Sequence, residues 1–206
     1  MAQPPSLIYA RQLLPMRYGY PLYYPEAMDS LPRELRGRGT GIGDVGVIKP
    51  DGSFQFAFNI FTTDTTINCF GVPDGFCVIS LGHISRLANK HSKPSELMTE
   101  GRYKKSVGAN LSVQASDGVA LSSSESALLT MPDGAMGEDY TSLDEIRTYS
   151  IEHAISWYEF INGKLHRAAP NGSLYVVTGC DKSTAWGIAT VGQHSSLQEC
   201  SLQFTA

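Results

Sequence analysis

Cys180, followed directly by Asp181 and Lys182, is the side chain best suited to covalent chemistry in this chain. A thiol becomes a nucleophile when a neighbouring cation or imidazole stabilises its thiolate. Lys182 supplies a charge by proximity, and His153 or His194 would be the base if the fold carried either one there. The spacing alone does not bring them together, so a cysteine in a turn is the simpler reading. Cys69, Cys77 and Cys200 form none of the close pairs that zinc sites use, and His83, His91, His153, His166 and His194 include no pair at helical ligand spacing. We therefore expect no metal, no cofactor and no assembled catalytic centre.

Gly41-Ile-Gly43-Asp-Val-Gly46 matches the letters of a dinucleotide-binding turn. That chemistry requires a strand before the glycines and a helix N-terminus after them, facing the pyrophosphate. Here a Pro- and Arg-containing segment precedes the glycines and a β-branched run follows, so they read as a tight entry into a strand. The formal net charge is −4. Without a basic face to release counterions from phosphates, a nucleic-acid partner is excluded. Positive charge concentrates only at Arg33, Arg36 and Arg38 and at Arg102, Lys104 and Lys105. The start, Met1-Ala-Gln-Pro-Pro, lacks the basic and apolar regions of a secretory signal, and there is no uninterrupted apolar run of about 18 residues. A cytoplasmic location, with recruitment to a membrane under one reading below, is the expectation.

The elements that would position these groups follow from turns and periodicity. Residues 1–38 carry six prolines and five tyrosines, a composition that opposes regular helix and central strand. They read as an extended arm packed on a single α+β domain over 39–206, with Tyr18, Tyr20, Tyr23 and Tyr24 against the body. Lys49-Pro-Asp-Gly52 predicts a turn between strands Val45–Ile48 and Phe54–Ile60, with Phe54, Phe56, Phe58 and Ile60 on one face. Val72-Pro-Asp-Gly75 predicts a second turn before a short strand at 76–81, and 83–100 reads as a polar loop. Val107, Ala109, Leu111 and Val113 alternate, Ala115–Gly118 turns, and Val119, Leu121, Ala127 and Leu129 return in a small-residue-rich hairpin ending at Met131. Ser142-Leu-Asp-Glu145 opens a helix over about 142–162 through a capping box, with Ile146, Tyr149, Trp157 and Phe160 as its apolar stripe and Asn162-Gly163 as its stop. Strands at 174–178, 185–191 and 201–204 close the chain, the first two joined by Gly179-Cys-Asp-Lys182. The fold class is α+β with a mainly antiparallel sheet, hairpins and one long amphipathic helix.

Tyr18-Gly-Tyr-Pro-Leu22, Ile42-Gly-Asp-Val-Gly46, Gly71-Val-Pro-Asp-Gly-Phe76, Ser156-Trp-Tyr-Glu-Phe160 and Leu174-Tyr-Val-Val-Thr178 together resemble a family of uncharacterised proteins of mushroom-forming fungi. Some of its members lie beside NACHT-type domains, which implies an intracellular sensor or effector. The order of a Ser- and Gly-rich hairpin, a helix and then Leu174–Thr178 is similar to the pore-forming domain of gasdermins. That second resemblance implies a membrane hairpin from Val107, Ala109, Leu111, Val113, Val119, Leu121, Ala127 and Leu129, with Arg102, Lys104 and Lys105 meeting anionic lipid.

Three functional readings stand after the sequence. The first is a non-enzymatic, self-assembling, membrane-active effector. A protein- or ligand-binding module, using the Tyr- and Pro-rich arm and the 83–106 loop as a partner surface on a passive β-rich scaffold, is the second. The third is an enzyme centred on Cys180.

Overall fold

A computed structural model describes residues 3–98 and 125–192, and the backbone of 199–205. The chain is α+β, with three antiparallel sheets and one long helix. The first sheet has the order β2-β1-β7, from β1 (Asp44–Ile48), β2 (Phe54–Asn59) and β7 (Leu174–Val176). A second has the order β10-β9-β5-β4, from β4 (Ser95–Met98), β5 (Ser126–Met131), β9 (Trp186–Gly192) and β10 (Glu199–Thr205). The third has the order β3-β6-β8, from β3 (Ile84–His91), β6 (Ala135–Tyr140) and β8 (Gly179–Lys182). Helix α3 runs over Leu143–Glu159 and closes in a π-turn, Phe160–Lys164.

The β1–β2 hairpin forms where its turn residues direct it, with Gly52 at φ +84°. Its faces do not follow the simple alternation. Val45 pairs with Phe58 but Gly46 pairs with Phe56, so Ala57 is an extra residue in β2. Such a bulge flips the side chains beyond it. Phe54 and Phe56 pack with Leu31 and Leu35, whereas Ala57, Phe58 and Ile60 enter the main core with Val45, Ile146, Trp157 and Ile161. The four large residues expected on one face thus serve two cores. At the centre of the larger one, Phe58 meets Phe76, Trp157 and Phe160 edge-on at 5.9, 5.5 and 5.8 Å between ring centroids, the arrangement that aromatic quadrupoles favour.

Several local expectations need correction. The first 38 residues contain helix α1 (Pro5–Leu13) and helix α2 (Arg33–Arg38) instead of running extended throughout. Pro4 and Pro5 stand at the cap and first turn, where the missing N–H would have had no helical partner. The polar stretch 83–100 supplies strands β3 and β4. β3 is an edge strand whose charges pair across to β6 and β8, Arg86 with Glu138 at 2.8 Å and Lys90 with Asp181 at 2.8 Å. Charged edges of this kind escape a search for apolar alternation. Residues 76–81 form no strand, and Gly179–Lys182, expected as a connection, is β8.

The capping box is also absent, since Ser142 makes no side-chain cap bond and the Glu145 carboxylate accepts the Tyr140 phenol at 2.9 Å. The expected partner segment of β5, 107–113, lies outside the described residues. The two edges of β5 are taken by β4, Ser95 opposite Met131, and by β9, Ser126 opposite Val191.

Candidate functional site

Residues 174–182 run as one extended segment shared by two sheets. Val177 exchanges backbone bonds with Gly43 and Asp44 on the β1 side, and the Thr178 carbonyl accepts the Tyr140 amide on the β6 side. Successive peptide groups of an extended chain point to opposite edges, so the segment leaves the first sheet and joins the third between Val177 and Thr178. The arm and the second sheet face it across an open cleft of about 860 Å³.

One wall is apolar. Tyr9, Leu13, Leu129, Trp186 and Ile188 line it, where α1 packs on β5 and β9. At the rim, the rings of Tyr20 and Tyr175 lie 6.2 Å apart, and Tyr18 stands edge-on to His91 at 5.0 Å. Tyr18, Tyr20 and Tyr24 remain exposed while Tyr23 is buried. The arm's tyrosines therefore divide between packing and display.

The opposite wall is polar and comes from α2 and β8. A buried network fixes α2: one Arg38 Nη nitrogen donates to both Asp44 oxygens at 2.9 Å, and Asn59 and the Gly41 amide donate to the same carboxylate at 2.8 and 2.7 Å. Burial pushes the Asp44 carboxyl above its ordinary range, against the pull of these donors. Lys182 Nζ donates to the Arg38 carbonyl at 3.0 Å, joining β8 to the end of α2. Asp181 is held by Lys90 and by His91 Nε2, each at 2.8 Å.

Comparison with protein-family models, with curated proteins and with solved structures finds no match to this chain.

Cys180 lies in the cleft lining, yet its surroundings oppose nucleophilic chemistry. Burial pushes its thiol above the ordinary range; Lys182 pulls it down, and Glu138, Asp181 and Asp44 push it up. His153 packs against Tyr149 within α3, their ring centroids 4.4 Å apart, and His194 lies outside the described residues. His91, which also lines the cleft, is bonded through Nε2 to Asp181 at 2.8 Å.

Of the expected membrane-hairpin residues, Ala127 and Leu129 belong to β5. Ala127 is buried beneath α1, and Leu129 lines the cleft. Val107, Ala109, Leu111, Val113, Val119 and Leu121 lie outside the described residues, as do Arg102, Lys104 and Lys105. Among the described residues no helix is long and apolar enough to cross a membrane.

The cleft itself escaped the sequence reading. Its walls come from residues between Tyr9 and Phe54, from His91, Leu97, Leu129 and Met131, and from residues 175–188, and no periodicity connects such distant stretches. The signals present were the tyrosines of the arm and the conspicuous segment 174–191.

Proposed function

We propose that this protein is a binding module whose partner is held in the cleft between the Tyr- and Pro-rich arm and segment 175–183. The observation that carries the reading is the cleft's size combined with its lining. Small-molecule sites are concave, mostly apolar and about 300–1,000 Å³ in volume, with a few polar groups that fix orientation. A cleft of about 860 Å³ with a Trp and Tyr wall facing Arg38 and Lys182 has that composition. The high-lying Cys180 thiol and the commitment of Asp181 to Lys90 and His91 count against the enzyme reading.

The test is a thermal-shift screen across neutral, anionic, cationic and peptide ligands, repeated on Leu129→Arg, which fills the cleft with a long charged side chain. A ligand present at 100 times its Kd adds about 2.7 kcal/mol to a folded state. That corresponds to about 5–10 °C for a chain of this length, at roughly 2–4 °C per kcal/mol. Ligands that raise the Tm of the wild type and leave Leu129→Arg unmoved support the module; no shift from any class overturns it.

One observation favours a second reading, membrane insertion. β4 and β5 form an antiparallel pair with Met98 opposite Leu128, so Met98 and Ser126, the described residues that flank the expected hairpin, stand at the same end of that pair. Alternating strands of about 9–11 residues span a bilayer when they close into a barrel. Dye release from anionic liposomes, abolished by Leu111→Asp and Leu121→Asp, is the expected result under this reading; intact liposomes with folded protein reject it.

A further inference from the structure

The hydrogen-bonding balance of the cleft points to the charge of its ligand. Asp181, on the polar wall, has both carboxylate oxygens engaged, one by Lys90 and the other by His91. Glu26, the other acidic residue of the lining, has an interaction of its own.

The cationic side is less complete. Lys182 is half-buried and donates to a neutral carbonyl, that of Arg38. Arg36, on the same helix end, makes no ion pair among the described residues. Arg38 spends its charge on Asp44. The surplus around this cleft is of positive charge.

We infer that the cleft takes a small amphipathic anion, a free carboxylate with a chain or ring body. Its head sits between Lys182 and Arg36, and its body lies along Leu129, Met131, Ile188 and Trp186. The inference rests on the binding-module reading and adds the chemical class of the ligand. Charge complementarity decides against a neutral or cationic occupant, since a neutral one leaves Lys182 without a counterion and a cationic one adds repulsion. Charge-assisted bonds from an ammonium and a guanidinium are about twice as strong as neutral ones, so discrimination resides in the head and the body supplies affinity.

The experiment displaces the fluorescent anion 8-anilinonaphthalene-1-sulfonate from the full chain with decanoate, 1-decanol or decylammonium, each kept monomeric. The wild type should bind decanoate at least tenfold more tightly than decanol, and decylammonium weakest. In the double variant Arg36→Gln, Lys182→Gln the affinity for decanoate should fall at least tenfold and the preference over decanol should vanish, while Lys49→Gln, paired with Asp51 and outside the cleft lining, should match the wild type. Equal binding of decanoate and decanol by the wild type overturns the charge assignment and leaves the module standing. Binding of none of the three, with hits from other classes in the thermal-shift screen, overturns the inference alone. Sedimentation with anionic vesicles and no response to monomeric decanoate also overturns it, by assigning the cations to a membrane surface. The wild-type ranking is decisive by itself if the double variant does not fold.

Discussion

Arg38 carries two duties that pull on one side chain. It neutralises Asp44, which is 1% exposed, and it forms part of the cleft wall. Removing one partner of a buried pair costs about 3–5 kcal/mol, because the charge left behind stays desolvated. We expect Arg38→Met to destabilise the protein by about 3 kcal/mol at neutral pH. The sign of its pH dependence follows from Asp44. A carboxyl pushed up by burial binds its proton more tightly in the folded than in the unfolded chain, so its contribution to stability grows as pH falls through the folded pKa and diminishes as pH rises. Urea titrations of Arg38→Met should therefore recover part of the lost stability on acidification, relative to wild type at the same pH. At Cys180 the raised thiol leads to a second expectation: iodoacetamide should alkylate exposed Cys77 before half-buried Cys180, and Cys180 should react only on the alkaline side of a free thiol. A fast-reacting Cys180 at neutral pH would bring the enzyme reading back.

At the scale of elements, α3 illustrates how a motif can match in letters and differ in bonding. The Glu145 carboxylate is drawn to the Tyr140 phenol, whose oxygen also accepts the Gly82 amide at 3.1 Å. That phenol links the end of β6, the start of α3 and the entry to β3. Tyr140→Phe should cost about 1–2 kcal/mol, the worth of a partly buried bond to a charged group plus the loss of the Gly82 amide's acceptor. Ser142→Ala should cost well below the ~1 kcal/mol usual for a lost cap; chemical denaturation of the pair checks both, and a reversed order would restore the capping box. The Ala57 bulge is equally decisive for β2. Gly46 lies opposite it, and a Cβ there would run into the Gln55 carbonyl and the Phe54 ring. The hairpin was legible from Lys49-Pro-Asp-Gly52 because turn chemistry is local. The bulge was not legible, since Phe54, Phe56, Phe58 and Ile60 keep their spacing while the register of the partner strand changes.

Across the whole molecule, the arm joins the sheets into one body. α1 covers β5 and β9 through Tyr9 and Leu13, which are 1% and 4% exposed, and the Tyr23 amide bonds the Gly52 carbonyl at 3.0 Å. A buried Leu→Ala change costs about 2–5 kcal/mol. Leu13→Ala should therefore lower a single unfolding transition by roughly 5–15 °C. A separate low-temperature transition in calorimetry would mean that the arm and the sheets unfold independently.

The amino-acid sequence by itself determined the α+β class, the β1–β2 turn, the long helix through Ile146, Tyr149, Trp157 and Phe160, and the closing strands. All of these depend on local turn chemistry or on periodicity within a single element. Tertiary structure alone decided that 83–98 pairs as edge strands, that Pro5–Leu13 coils onto a sheet, and that segment 174–182 passes from one sheet to another. It also brought Arg36, Lys182 and Trp186 around one cleft. The physical reason is that strand pairing and burial are settled between residues far apart in sequence, where hydrogen-bond partners and core contacts override what each stretch prefers alone.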